Sequence, residues 1–225
     1  MKKHSNFFEI LIFFIVFLFF ILPPFFVTNS SEAALFSTWQ FPFQQMIMAA
    51  FALTLYLIFY EKQKKSLPFF PVMMTLALLF TSALFIKFFS LILISKNPSQ
   101  INQTSQANMQ VILPENFISW LFCILNFFFA ALYEEILYRF YFVDKLYDLL
   151  SKLLSEKIGW KFLPLICEIA GCGAFAFAHF YLGIFSVINA IFGHVILRLC
   201  YKKSGNIWAG VTAHFIYNVI SLILL

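Results

Sequence analysis

"FISWLFCILNFFFAALYEEILYRFYF", Phe117 to Phe142, is apolar enough and long enough to cross a bilayer, yet it carries two adjacent glutamates and an arginine. A spanning helix needs about 20 mostly apolar residues, because roughly 30 Å of hydrocarbon is crossed at 1.5 Å per residue. The whole chain has the same character. Of its 225 residues 62 % are hydrophobic, 11 % are charged and 34 are Phe, with a mean hydropathy of +0.89. Ordinary soluble domains do not have that composition. The expected fold is all-α, a polytopic membrane protein of about seven transmembrane helices.

Working outward from Phe117–Phe142, the other apolar runs are Phe7–Val27, Phe43–Tyr60, Phe69–Ile94, Phe162–Leu182, Ile184–Tyr201 and Ile207–Leu225. Lysines set their orientation. Lys2, Lys3, Lys62, Lys64, Lys65, Lys145, Lys152, Lys157, Lys161, Lys202 and Lys203 fall at the N-terminus or in every second connection, whereas Thr28–Pro42 and Ser95–Asn116 carry only Lys96. The positive-inside rule then puts the N-terminus in the cytoplasm and the C-terminus outside. On this reading the net charge of +5 is topological, and no nucleic-acid partner is implied. The first run also has the look of a signal peptide, with Lys2 and Lys3 before it and Ser31, Ala33 and Ala34 after it; its length favours a retained helix.

Two further stretches set the organisation. "SKNPSQINQTSQANMQ", Ser95–Gln110, suits a solvated outer loop. In Val143–Trp160, Leu146, Leu149, Leu150, Leu153, Leu154 and Ile158 recur at helical spacing among lysines and acids, so this segment reads as an amphipathic helix at the cytoplasmic interface or an extension of the fourth span. Cys123, Cys167, Cys172 and Cys200 lack the spacing of a zinc site or a disulfide framework and read as core residues.

Ionisable groups at membrane depth cost about 2.5–3.5 kcal/mol each on insertion scales, so they face a protein interior or a wet cavity and are functional candidates by default. Among the ten acids Glu134 and Glu135 are the one adjacent pair. Glu135 and Arg139, four apart, share a helical face and can neutralise each other. Glu134 is turned about 100° away and is left to point into a cavity, where a partly desolvated carboxylate suits a general base. A packing cluster that uses both acids with Arg139 is the structural alternative.

"FAFAH", Phe175–His179, and "HFIYN", His214–Asn218, each put their end residues on one helical face. His214 and Asn218 thereby supply a titratable nitrogen and an amide donor one turn apart. His194 is read as a hydrogen-bonded core residue. A carboxylate that deprotonates water, histidines that hold the water or protonate a leaving amine, and an amide that donates to an oxyanion make a hydrolytic set. Two histidines and a glutamate are also a known zinc ligand set, although the HExxH arrangement is missing.

The order EExxxR, FxxxH and HxxxN across the fourth, fifth and seventh spans, with "KKSGNIWAGVTAHFIYN" leading into the last, resembles the CAAX protease and bacteriocin-processing (CPBP, or Abi) membrane proteins over Asn116–Leu225. The resemblance implies an intramembrane endopeptidase with its active site inside the helical bundle. Glu134 would activate water, His179 and His214 would bind and orient it, Asn218 would form the oxyanion hole, and Glu135 and Arg139 would support them. It divides the chain into N-terminal spans, 1–115, and a catalytic membrane domain, 116–225. No cofactor is expected, since Asn218 is a better oxyanion donor than ligand; if a metal were used, Glu134, His179 and His214 would hold it. The implied partners are the lipid bilayer and a peptide or membrane-anchored protein, cut after a prenylated cysteine, in a bacteriocin leader or in a signalling protein. The Phe, Ile, Lys and Asn usage points to a bacterial inner membrane. A non-catalytic binding protein of the same fold and a proton-relaying transporter are the competing readings.

Depth poses one difficulty. With a fifth span starting at Phe162, His179 lies roughly 25 Å in, whereas Glu134 and His214 lie some 8 residues from the cytoplasmic face. Either the fourth span continues through Leu150, or the fifth begins near Glu168.

Overall fold

The structure, a computed structural model, describes residues 6–26, 40–60, 67–96, 113–153 and 161–224. All regular structure among them is helical. Helix α1 (Asn6–Val16) runs through a π-helical turn (Phe17–Ile21) into a 3₁₀ turn (Pro23–Phe26); α2 is Phe43–Phe59 and α3 is Phe69–Lys96. Helix α4 (Phe117–Glu134) passes without a break into a π-helical segment (Glu135–Phe142) and then α5 (Val143–Leu153). Helices α6 (Leu163–Phe177), α7 (Ile184–Ser204) and α8 (Ile207–Leu224) complete the bundle.

Local chemistry explains several of these ends. The Asn116 side chain accepts from the Ser119 amide at 2.9 Å and so caps the first turn of α4. Gly205, at φ +60°, closes α7 in the left-handed conformation that glycine adopts without a Cβ penalty. Asn206 then caps α8 by accepting from the Trp208 amide at 2.9 Å.

Five helical runs are long and apolar enough to cross a membrane: Phe7–Phe26, Phe69–Leu93, Phe117–Leu153, Ile184–Ser204 and Ile207–Leu224. Phe43–Phe59 and Leu163–Phe177 are shorter apolar helices. The chain is an all-α polytopic membrane protein. Large apolar side chains such as Phe69, Phe70, Phe88 and Phe117 stand exposed on its outside, which in lipid carries no penalty.

Two expectations need correction. The fourth span does not stop at Phe142 but runs to Leu153, so the Val143–Trp160 stretch extends it as far as it is described, and Glu134 lies close to the middle of a 37-residue helical run. This is the first of the two solutions to the depth problem; the fifth helix begins at Leu163 and not near Glu168. That helix ends at Phe177, short of Leu182, and His179 stands beyond it in a turn before a short 3₁₀ piece, Phe180–Leu182. Most of the outer loop Ser95–Gln110, Lys62–Lys65 and Ser31–Ala34 lie outside the described residues.

The π-helical segment sits at the centre of the bundle. All eight of its residues are buried, and it touches α2, α6, α7 and α8. One core links α1 (Phe13, Val16), α2 (Ala52, Phe59), the π-helical segment (Ile136, Leu137), α6 (Phe175) and α8 (Ile207). A second cluster joins α3 (Leu76, Leu79) to α7 (Leu197) and α8 (Ala209, Ala213). Small residues at such contacts let membrane helices approach closely.

Candidate active site

The wide π-helical turn begins at Glu135, directly after Glu134, so the two carboxylates leave the helix where its hydrogen bonding changes from i→i−4 to the looser i→i−5 pattern. They are unlike in setting. The Glu135 side chain is fully buried, with Oε1 3.4 Å from Arg139 Nη1 and 2.8 Å from His214 Nδ1. The Glu134 side chain keeps 14 % of its surface, and its Oε2 lies 3.8 Å from His214 Nε2. The buried acid is thus held between two cationic or donor groups, and the accessible one faces the free edge of the same imidazole.

Both histidines present that edge. His179 Nδ1 donates to the Phe175 carbonyl at 2.8 Å, and His214 Nδ1 donates to the Glu135 carboxylate, which in the neutral rings leaves each Nε2 as an acceptor. Phe175 also packs its ring on His179, with centroids 4.5 Å apart, and under the Arg139 guanidinium at 3.7 Å. The FxxxH pair therefore acts through a ring contact and a backbone bond that persist although His179 lies past the helix end. Arg139 itself is buried, and its nitrogens have no hydrogen-bond partner among the described residues apart from the ion pair with Glu135.

Gly210, one turn before His214, makes this approach possible. A Cβ there would stand 2.9 Å from Glu135 Oε2, so α8 comes close to the π-helical segment only because the position has no side chain.

A cavity of about 180 Å³ opens beside these groups, lined among others by Arg139, Phe175, His179, His214 and Asn218. Every residue of the expected set is thus present: His179, His214, Asn218 and Arg139 on the cavity wall, Glu134 against His214, and Glu135 behind it. No group of three His, Cys, Asp or Glu among the described residues is arranged to hold a metal ion. The four cysteines are free, and three are buried.

Sequence reasoning missed four features. The first is the Glu135–His214 bond, whose signal was the pairing of a buried acid with the HxxxN histidine. The second is Arg198, which donates to Glu168 at 2.9 and 3.0 Å, to Asp144 at 2.6 Å and to the backbone carbonyl of Arg139. It belongs to none of the motifs, and no local spacing pairs it with Asp144 or Glu168. The third is Asn189, uncharged and so passed over in a search for ionisable groups, although it lines the cavity with Tyr217. The fourth is His194: it is buried as expected, but neither ring nitrogen has a hydrogen-bond partner among the described residues.

No curated protein and no solved structure matches the chain. Residues 116–220, just under half of it and the part that holds all six motif residues, match the family described as type II CAAX prenyl endopeptidase Rce1-like. That match bears out the resemblance of this segment of the membrane protein to CAAX proteases.

Proposed function

We propose that the protein is an intramembrane endopeptidase that hydrolyses a peptide bond with a water activated by Glu134. The observation that carries the reading is His214 lying between the two glutamates, its Nδ1 bound to Glu135 and its Nε2 turned to Glu134 at 3.8 Å, on the wall of a cavity shared with His179 and Asn218. A water seated beside that pair reaches both the carboxylate and the ring. Glu134 takes its proton as the oxygen attacks the carbonyl, His179 and His214 orient it, and the Asn218 amide donates to the oxyanion. Glu135 fixes the His214 ring, and Arg139 balances the Glu135 charge. Burial at mid-helix keeps these interactions strong, since they are not competed away by bulk water.

The metal-free form is favoured because the donor set does not gather into a three-ligand cluster. The free Nε2 atoms of His179 and His214 with Glu134 are the groups that would hold zinc, and a chelator tests this directly. In the proposed setting, a bacterial inner membrane, the N-terminus is cytoplasmic, 1–115 supplies supporting spans and 116–225 the catalytic domain. The substrate is a peptide or membrane-anchored protein; the bacterial setting favours one without a prenylated cysteine, whereas the matching family is described by prenyl endopeptidases.

The test is cleavage, by detergent-purified protein, of membrane-proximal peptides with and without a prenylated cysteine, read by mass spectrometry with and without chelator. Cleavage that survives chelation is expected. Loss on chelation moves His179, His214 and Glu134 to metal ligands, and a folded protein that cleaves none of the peptides favours the binding reading.

A further inference from the structure

The motif residues account for one wall of the cavity. A second set of lining residues belongs to α7, a helix that carries none of the motif residues: Ser186, Asn189, Ala190, Gly193 and Leu197. These positions recur at three- and four-residue steps and so form one stripe of the helix. The stripe grades from polar through small to apolar.

Gly193 is the unusual member. A Cβ built there meets nothing within 4 Å, and its backbone is ordinary right-handed helix. A helix-interior glycine costs about 1 kcal/mol relative to alanine, and here neither packing nor a positive φ offsets that cost. Gly171 and Gly210 contrast with it, since a Cβ would fall 2.3 Å from Val143 in the first and 2.9 Å from Glu135 in the second. Gly173 is as open as Gly193 but does not line the cavity. What glycine provides at 193 is space, in the cavity that His179, His214 and Asn218 also line.

Asn189 lies one turn from it. Its amide reaches the Tyr217 hydroxyl at 3.4 Å, a long contact, and its carbonyl oxygen has no hydrogen bond among the described residues. An extended peptide inside a membrane must have its backbone groups satisfied. Asn189 offers an acceptor on the α7 wall and Asn218 an amide on the α8 wall. No charged residue lies on the α7 wall, and Leu79 and Leu182 close the space around it.

We propose that the α7 wall is the specificity subsite: the space at Gly193 and Ala190 receives an uncharged side chain of the substrate residue next to the scissile bond, and Asn189 accepts from that residue's backbone N–H. This rests on the peptidase reading for the identity of the occupant.

The test uses the full chain in detergent and farnesylated and unmodified peptides in which each residue flanking the cut is varied in turn through Ala, Leu, Phe and Asp. Gly193→Leu places a side chain where a Cβ meets nothing within 4 Å. It is expected to lower kcat/KM for a Leu or Phe peptide about tenfold or more while sparing the Ala peptide, and Asn189→Leu is expected to raise KM across the panel. A uniform change for all side chains overturns the subsite.

A second arm reads binding without turnover. Gly193→Cys in a Glu134→Gln background is treated with a methanethiosulfonate reagent, and mass spectrometry locates the label. The Leu peptide, but not the Asp peptide, is expected to protect the introduced thiol. Cleavage by the parent protein without such protection overturns the subsite and leaves the peptidase. Protection without cleavage leaves the subsite and overturns the peptidase, and the absence of both overturns both. Protection by farnesol alone would make the cavity a prenyl site and overturn the side-chain assignment.

Discussion

Phe175 meets the Arg139 guanidinium at 3.7 Å, the His179 ring at 4.5 Å, the Tyr138 ring at 5.3 Å and the His194 ring at 5.8 Å. It is a packing platform for two motif groups, and removing it leaves a void beneath a buried cation. Phe175→Ala is expected to cost about 3–5 kcal/mol, read as a lowered Tm in detergent. Phe175→Leu, which restores volume without the ring face, is expected to recover only part of that loss. Gly210 makes a sharper case, because its neighbour is the charged group itself. Gly210→Ala pushes the Glu135 carboxylate off His214, so kcat falls while KM stays near its parent value. Much at this scale is legible from sequence: the i, i+4 spacing of Glu135 with Arg139 and of His214 with Asn218 places those side chains before any coordinates exist. Contacts between helices are not legible in the same way. The Glu135–His214 bond joins residues 79 apart, and no local pattern encodes it.

At the scale of elements, the π-helical segment turns its backbone away from the regular ladder in the middle of a 37-residue helical run. Arg198 of α7 answers one consequence by donating to the Arg139 carbonyl, while Asp144 and Glu168 hold its guanidinium from α5 and α6. Lys202 shares Glu168 at 2.6 Å. This network ties three helices at one end of the bundle. Arg198→Leu strands Asp144 and leaves Glu168 to Lys202 alone, and is expected to cost about 3 kcal/mol, with Arg198→Lys restoring part of the Tm and not all, since a single ammonium cannot serve two acids and a carbonyl as the planar fork does. The helices themselves were legible, since apolar windows mark where each begins and, for most, where it ends. The change to π-helix has no compositional signal, and the stop of α6 at Phe177 was hidden because Phe180, Tyr181 and Leu182 continue the apolar run with no Pro or Gly before Gly183. Lysines near span ends serve the sequence reading as topological markers, which conceals that Lys145 and Lys152 are paired with Glu9 inside the protein.

Across the whole molecule, α1 is fastened to the segment that carries the site. Glu9 is buried and lies 2.9 Å from Lys152 and 3.5 Å from Lys145, itself buried over the Phe59 ring, while Phe13 stacks on Phe142 at 5.7 Å. Glu9→Ala is expected to destabilise by about 3 kcal/mol, because it removes the acid that pairs with the buried Lys145 at 3.5 Å. For the same reason the protein purified from membranes should retain α1, and intact-mass spectrometry showing removal of the first 30 or so residues would contradict the docking. The bundle thus brings His179, from the turn after α6, and His214 and Asn218 of α8 to one cavity, with Glu134 of α4 against His214, and the account rests on what Glu134 does there. The measurement that tests it most directly is kcat and KM for a cleaved peptide with Glu134→Gln against the parent, with Tm recorded for both. The account predicts a loss of about 10²–10⁴-fold in kcat with KM and Tm nearly unchanged. A Glu134→Gln protein that turns over within a fewfold of the parent would contradict it.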